Sequence, residues 1–570
     1  MDRPFKVAVV GGGPAGLVTL KFLATAHHYF RIPPIQVRCF EAETEIGGIF
    51  THGVYEDAEM VSSRYLTCYS DFRTPRDAPD FLCPAAYVQY LKDYVQAFDL
   101  SQHIELNTKV LDISRGLDGQ GHVVEISKDN GRTTFAWNCD AVAICSGVHV
   151  KPYIPQIPGI ERVPTSFHSY SMKTRAQFGV NANVVILGCG ETGMDVAHLA
   201  ITSPTKSVTL CSRDGFFCAP KIIATPSVFG SPIPARPNKP VDTSVASLFD
   251  TAYLHPLLQR GPLPWFVYDQ WVRKTHWLIS GTEEGPDQWA GHIIFLCKSD
   301  RALPYISAGK RSDSLINRIR TKIINVPIQD TKGRCIDVKG WPTEVDEHGV
   351  MSFGDGAEPI RADIVVFATG YTAEMSYLSP DYPTLDDLDV RNIYKEGDVS
   401  VGFIGFIRPS IGAIPPLAEL QAQLWVYRLL QDQYPKAIPL PGPDSVPSYD
   451  IDYLMKPRCG YDFASTKRGV DHEAYAYQLA LDMGAAPTIS HVAKRGWKVF
   501  FTWAMGSNFN PKFRLVGPWK READAARIMR GELFDVVKRS GGGFCEFSLS
   551  RIRLRTRILL GMKAMSVLRM

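Results

Sequence analysis

The sequence predicts an α/β fold of two parallel, doubly wound sheets, the second carried as an insertion within the first. Three observations predict it. A short apolar strand, a glycine-rich turn and an apolar helical stretch open the chain between Lys6 and Leu23. The same succession returns at Val184. Two further apolar runs end in small residues, AVAIC before Ser146-Gly147 and DIVVF before Ala368-Thr369-Gly370. Buried parallel strands read as continuous apolar runs of this kind, and small residues at their carboxyl ends let backbone and ligand approach closely. At 570 residues the chain also exceeds one hydrophobic core, since domains usually hold about 100 to 200 residues.

Composition agrees with a chain folded through most of its length. The hydrophobic share is 45% and the charged share 21%, without repeats or low-complexity tracts. A formal net charge of +3 is close to balance at this size and lacks the basic footprint of a nucleic-acid binder. Small molecules are the expected partners. The twelve cysteines include no Cys-x-x-Cys pair and no histidine at ligand spacing to one, so neither a disulfide scaffold nor a metal site is expected. A reducing, cytoplasmic compartment fits. Met1-Asp2-Arg3 leads straight into the first strand, with no room for a signal peptide, and no uncharged apolar stretch reaches the roughly 18 residues that span a bilayer.

In the first turn, Gly11, Gly13 and Gly16 stand in G-x-G-x-x-G spacing. Gly11 permits the tight bend, Gly13 admits a pyrophosphate to the backbone, and Gly16 lets the helix close on the strand. Gly12, Pro14 and Ala15 complete the turn, whose helix N-terminus favours phosphate charge. The next strand, Gln36 to Phe40, ends in Glu41, which suits the two ribose hydroxyls of an adenosine and repels a 2′-phosphate. FAD or NAD is therefore expected here rather than NADP, with Gly47-Gly48 as a second close approach.

The second turn places Gly188, Gly190 and Gly193 in the same spacing after Val184 to Leu187. Its following strand, Val208 to Cys211, ends in Ser212-Arg213, and a hydroxyl beside a guanidinium suits the 2′-phosphate of NADPH. The chain thus contains two Rossmann-type dinucleotide-binding folds of different selectivity. Two such sites point to hydride transfer from a nicotinamide to an isoalloxazine. Without a Cys-x-x-Cys pair a disulfide acceptor is not expected, and molecular oxygen becomes the leading acceptor.

These residues make the sequence resemble the flavin-containing monooxygenases of class B from near the N-terminus to about Arg527. FEAETEIGGIF (40–50), RYLTCYSDF (64–72), CSGVHVKPYIP (145–155), SRDGFF (212–217), FATGYT (367–372), GAIPPLAELQAQ (412–423) and FRLVGP (513–518) carry the resemblance in order. The family's Phe-x-Gly-x-x-x-His-x-x-x-Tyr signature keeps only His168, with Arg162, Pro164 and Met172 at the other positions. Glu191-Thr192 stand where Asn-Ser is usual, Phe50 where tryptophan is usual, and Val61 where an asparagine lies beside the flavin. The resemblance implies FAD and NADPH as cofactors. It places Gly48, Ile49, Phe50, Val61 and Ser62 around the flavin and Glu191 and Thr192 in the second fingerprint, while Thr369 and Gly370, small residues at a strand end, are expected to pass close to cofactor. It further implies that oxygen adds at the flavin C4a position and that one oxygen atom passes to a small nucleophilic substrate through nitrogen or sulfur. Baeyer-Villiger oxygenation of a ketone and a substrate-free NADPH oxidase are the alternatives. No conventional catalytic triad is expected, no catalytic residue is assigned, and His168 is read as structural.

The expected organisation is an FAD-binding domain in two parts, 1–170 and 371–530, with the NADPH-binding domain, 171–370, inserted into it. Residues 219–305, rich in Pro, Trp and Phe, form an expected helical insertion within the latter, able either to roof the substrate pocket or to pack on itself. A basic amphipathic tail, 531–570, has Arg551, Arg553, Arg555, Arg557, Lys563 and Arg569 and no acid after Phe547. Such a segment suits peripheral contact with anionic lipid, here at the cytosolic face of an internal membrane.

Overall fold

The computed structural model describes residues 3–116, 119–128, 131–213, 301–309, 311–325, 328–409, 412–439, 441–454 and 469–539, with short pieces between 217 and 297. The first sheet has the order Val401–Phe403, Ala141–Ile144, Lys6–Val10, Gln36–Phe40, Ile104–Glu105, with every pair parallel. The second has the order Ile336–Lys339, Ser207–Cys211, Asn183–Leu187, Ile364–Phe367, Thr165–His168, again all parallel. In both, the strand that precedes the glycine turn is central.

Side-chain alternation explains how each sheet is covered. Val7 and Val9 pack with Leu17, Leu20 and Leu23 of the helix Pro14–Ala24, whereas Ala8 and Val10 point the other way, onto Val110, Ile113, Val124 and Ile126. Those last residues belong to an antiparallel meander, Thr108–Arg115, His122–Lys128 and Thr133–Cys139. The second sheet repeats the scheme. Val184 and Ile186 face the helix Glu191–Ile201, and Val185 and Leu187 face Val345, Met351 and Phe353 of the meander Pro342–Val345, Val350–Phe353, Ile360–Arg361. Each fully buried Leu or Val contributes about 1.5 to 3 kcal/mol, so both sandwiches are closed by continuous apolar contact.

Two strands cross between the sheets. Lys151–Pro152 pairs antiparallel with Tyr371–Thr372, and Tyr153 donates its N–H to the Gly370 carbonyl at 3.0 Å. Thr165–His168, which falls before the boundary expected at 170, is hydrogen-bonded into the second sheet alongside Ile364–Phe367. We therefore propose that the domains part at the 151–152 and 371–372 ribbon. The helix Ile414–Gln433 lies almost wholly buried against the helix Pro14–Ala24. Pro415 and Pro416 sit in its first turn, where no intrahelical N–H bond is lost. Most of the 219–305 insertion, including PLPWFVYDQWVRKTHWL except for single residues, and the tail from 540 onward lie outside the described residues. Among the described residues no helix is long and apolar enough to cross a membrane.

Candidate functional site

The two glycine turns have matching geometry. Gly11 lies at φ 105°, and a Cβ there would stand 2.7 Å from the Cys145 carbonyl oxygen; Gly188 lies at φ 110°, and its Cβ would stand 2.4 Å from that of Ala368. A Cβ on Gly16 would meet the Gly11 oxygen at 1.8 Å, and one on Gly193 the Gly188 oxygen at 1.9 Å. The protein itself therefore forbids a side chain at these four positions. The middle glycines differ. A Cβ at Gly190 would meet nothing within 4 Å, and one at Gly13 only the Gly48 Cα at 3.8 Å. Both have ordinary extended backbone, so no contact within the chain requires glycine there. The space in front of them suits a group that must touch the backbone, as a pyrophosphate does.

Around the first turn, Glu41 is buried and its carboxylate accepts N–H bonds from Gly12 at 2.6 Å and Glu43 at 2.9 Å. Each oxygen retains lone-pair capacity for a ribose hydroxyl. Gly47 donates to the Gly12 carbonyl at 3.1 Å, which brings Gly48 against Gly13, with Pro14 and Ala15 following as the half-buried helix start. Gly48 caps the short helix Ile49–His52, whose Phe50 packs edge-on to Tyr87 at 4.8 Å.

At the second turn, Glu191 and Thr192 open the helix, half-buried beside Gly190. Ser212 is buried, its N–H donated to the Lys339 carbonyl at 3.1 Å. Arg213 is exposed, with its guanidinium 4.6 Å from the Trp341 ring centroid. Stacking on an indole leaves the planar fork free in orientation for a phosphate dianion. The sheet ends of this domain meet the crossover at Thr369 and Gly370, where the Thr369 hydroxyl donates to the Tyr153 carbonyl. His168 bonds the Gly370 carbonyl through Nε2 at 3.0 Å and accepts the Tyr170 N–H at Nδ1, 3.1 Å, which requires the Nε2–H tautomer. Burial lowers its pKa, so it pins the crossover as a neutral ring.

The loop carrying Val61 and Ser62 leads into the short helix Arg64–Thr67, after which Tyr69 donates its hydroxyl to the Pro14 carbonyl of the first turn at 2.8 Å. Val61 is half-buried, and the Ser62 hydroxyl lies 2.8 Å from that of Thr67. Behind it is a buried charged network. Lys21, on the fingerprint helix, meets Asp71 at 2.6 Å; Arg514 stands 3.5 Å from Asp71 and 3.6 Å from Glu419. Ser70 donates its N–H to Glu419 at 2.9 Å and accepts from Arg514 at 2.8 Å. Burial by itself would raise the Asp71 carboxyl, but Lys21 and Arg514 outweigh it and hold it at about 2. Burial pushes Lys21 down to about 8 and, with Asp71 close by, raises Glu419. Four segments distant in sequence thus lock the loop onto the helix of the first turn.

The adjacent segment reaches the second domain. Tyr55 donates to Asp195 at 2.7 Å, Arg175 pairs with Glu56 at 2.6 Å, and Lys173 donates to the His52 carbonyl at 2.7 Å. These contacts tie the segment after the Ile49–His52 helix to the helix of the second turn, which carries Asp195, and to residues 173–175. The flavin-binding monooxygenase-like family matches residues 4–230 and 317–535 of this chain. The chain belongs to that family. It is 45% identical to Monooxygenase cfoE of Aspergillus candidus, over 96% of each protein. Its identity to Dimethylaniline monooxygenase [N-oxide-forming] 2 of Pan troglodytes is 26%, over 94% of this chain and 93% of the relative. The solved OTEMO complex with FAD and NADP aligns with a TM-score of 0.47 and 16% identity, over 75% of this chain and 84% of that one. The protein is a flavin-dependent monooxygenase, acting with molecular oxygen on a small molecule.

The glycine turns follow Lys6–Val10 and Asn183–Leu187, and Glu41 and Ser212-Arg213 follow the neighbouring strands Gln36–Phe40 and Ser207–Cys211. Sequence reasoning did not find Trp341, which follows a neighbouring strand and has no local motif. It also passed over Lys21, although a single lysine inside the apolar run LVTLKFLA signals a buried counter-charge.

Proposed function

We propose that this chain transfers one oxygen atom from O2 to the nitrogen or sulfur of a small nucleophile, with FAD on the first turn and NADPH on the second. The observation that carries this reading is the pair of like cradles with unlike strand ends, a buried Glu41 at one and a stacked Arg213 at the other. FAD bound at Gly11, Gly13, Gly16 and Gly48, with its ribose on Glu41, supplies the redox and oxygen-activating chemistry. NADPH rests on Gly188, Gly190 and Gly193, its 2′-phosphate on Ser212 and Arg213. Phe50, Val61 and Ser62 line the flavin side, where Val61 brings no hydrogen-bonding group and helps keep water out.

The N-oxide named for the Pan troglodytes relative supports a nitrogen or sulfur acceptor over a ketone. The test is a substrate panel of a tertiary amine, a thioether and a cyclic ketone under 18O2 with the flavin-loaded enzyme and NADPH. The expected result is one 18O atom in an N-oxide or sulfoxide, with peroxide falling in step. An 18O-labelled ester from the ketone alone would establish the Baeyer-Villiger alternative, and peroxide accounting for all NADPH with every compound would establish an oxidase. We further propose that the basic tail after Phe547 touches anionic lipid, which sedimentation with phosphatidylserine vesicles at low and high salt would read.

A further inference from the structure

Two charged residues of the segment that joins Ser207–Cys211 to Ile336–Lys339 reach back to the loop of Val61 and Ser62. Lys221, almost wholly buried, forms an ion pair with Glu59 and sits 5.0 Å over the Phe81 ring. Asp242, 5% exposed, accepts the N–H of fully buried Ser63 at 2.6 Å. The Asp242 backbone is itself held, because its carbonyl accepts the Ser507 hydroxyl at 2.7 Å and the Thr243 carbonyl accepts the Ser507 N–H at 3.2 Å. The two grips fall at residues 59 and 63, on either side of Val61-Ser62. Asp242 lies between 230 and 317, where the family match is interrupted.

We propose that Lys221 and Asp242 are positioning residues that set the Val61-Ser62 loop and so govern how tightly oxygen transfer is coupled to NADPH oxidation. The proposal rests on the reading that this loop lines the flavin. A buried carboxylate bonded to a main-chain N–H is a strong, directional tie, and its removal leaves the Ser63 N–H without an acceptor inside the protein. Loops held by few such ties open locally at low free energy, so losing one end frees the residues between the grips.

The test uses the full-length, flavin-loaded enzyme with Asp242→Ala, Asp242→Asn, Lys221→Met and Lys221→Arg. It reads hydrogen exchange of peptides covering 59–67, and the fraction of NADPH electrons released as peroxide in the presence of substrate. Asp242→Ala and Lys221→Met should raise both by about three- to tenfold, the scale of one lost hydrogen bond. Flavin reduction by NADPH should change less than either. Asp242→Asn, which keeps an acceptor oxygen, and Lys221→Arg, which keeps the charge, should return most of the loss. Unchanged loop exchange in both Asp242→Ala and Lys221→Met overturns the proposal. Raised exchange with an unaltered peroxide fraction would instead place the loop away from the flavin and overturn the reading beneath it. Should Asp242→Ala fail to fold, the Lys221 pair decides by the same criteria, since its partner Glu59 is 38% exposed and tolerates loss of the pair.

Discussion

Arg213 stands at the end of its strand with the Trp341 ring beneath it and the solvent in front. A guanidinium held on an indole face is oriented before the ligand arrives, so less side-chain entropy is lost when a phosphate docks. Arg213→Ala should weaken NADPH by about 1.5 to 3 kcal/mol, the range for a hydrogen bond to a charged group, and leave NADH nearly unaffected. Steady-state KM values for the two coenzymes check this, and equal losses for both would remove the 2′-phosphate from this position. The position of Arg213 was legible in the sequence because the end of the second strand is a fixed place in the fold. Its support at Trp341 was not, since the ring arrives from a strand that pairs beside Ser207–Cys211 only in three dimensions. The glycines divide in the same way. Their spacing announced a turn, but only the structure separates Gly11 and Gly16, excluded by the chain's own carbonyls, from Gly13, where the protein leaves room.

Among the elements, the loop from Arg64 to Phe72 shows how a segment with little regular structure is made rigid. Its Ser70 and Asp71 are tied to Lys21, Glu419 and Arg514, and the Asn510 amide donates to Glu419 in turn, all four partners being buried. Asp71→Asn leaves two cations facing an uncharged amide inside the protein, which should destabilise the fold by about 3 to 5 kcal/mol. Denaturant unfolding measures the loss. The pH dependence has a definite sign. With a folded value of about 2 against an ordinary 3.8, the Asp71 carboxylate contributes stability that is fully present above 3.8 and disappears as the pH falls through 2. Acid unfolding of Asp71→Asn should therefore be shallower over that window than that of the parent, and parallel acid limbs would show that the network does not hold the loop. The motifs YSDF, AELQAQ and FRLVGP each stood out along the chain as family segments. That Ser70, Asp71, Glu419 and Arg514 converge on a single network could not be read from them, because burial of like and unlike charges together depends on long-range packing.

At the scale of the molecule, the duplicated plan was legible from apolar runs and glycine spacing. A strand buried on both faces must be apolar throughout, and Lys6–Val10, Asn183–Leu187, Ala141–Ile144 and Ile364–Phe367 are nearly so. The two antiparallel meanders were not foreseen, since half-exposed strands such as Thr133–Cys139 mix polar and apolar residues. The pairing of Thr165–His168 with Ile364–Phe367 was not foreseen either, because TSFH has no strand-like apolar run. Among the contacts between the halves, Tyr55 bonds Asp195 on the helix of the second turn and Arg175 pairs with Glu56. A crystal structure of the full-length protein with FAD and NADP+ tests this arrangement most directly. The account predicts the FAD pyrophosphate against Gly13 and Gly48 with its ribose on Glu41, and the NADP+ 2′-phosphate between Ser212 and Arg213 with its pyrophosphate against Gly190. FAD on the second turn, or a 2′-phosphate lying away from Arg213 and Trp341, would contradict it.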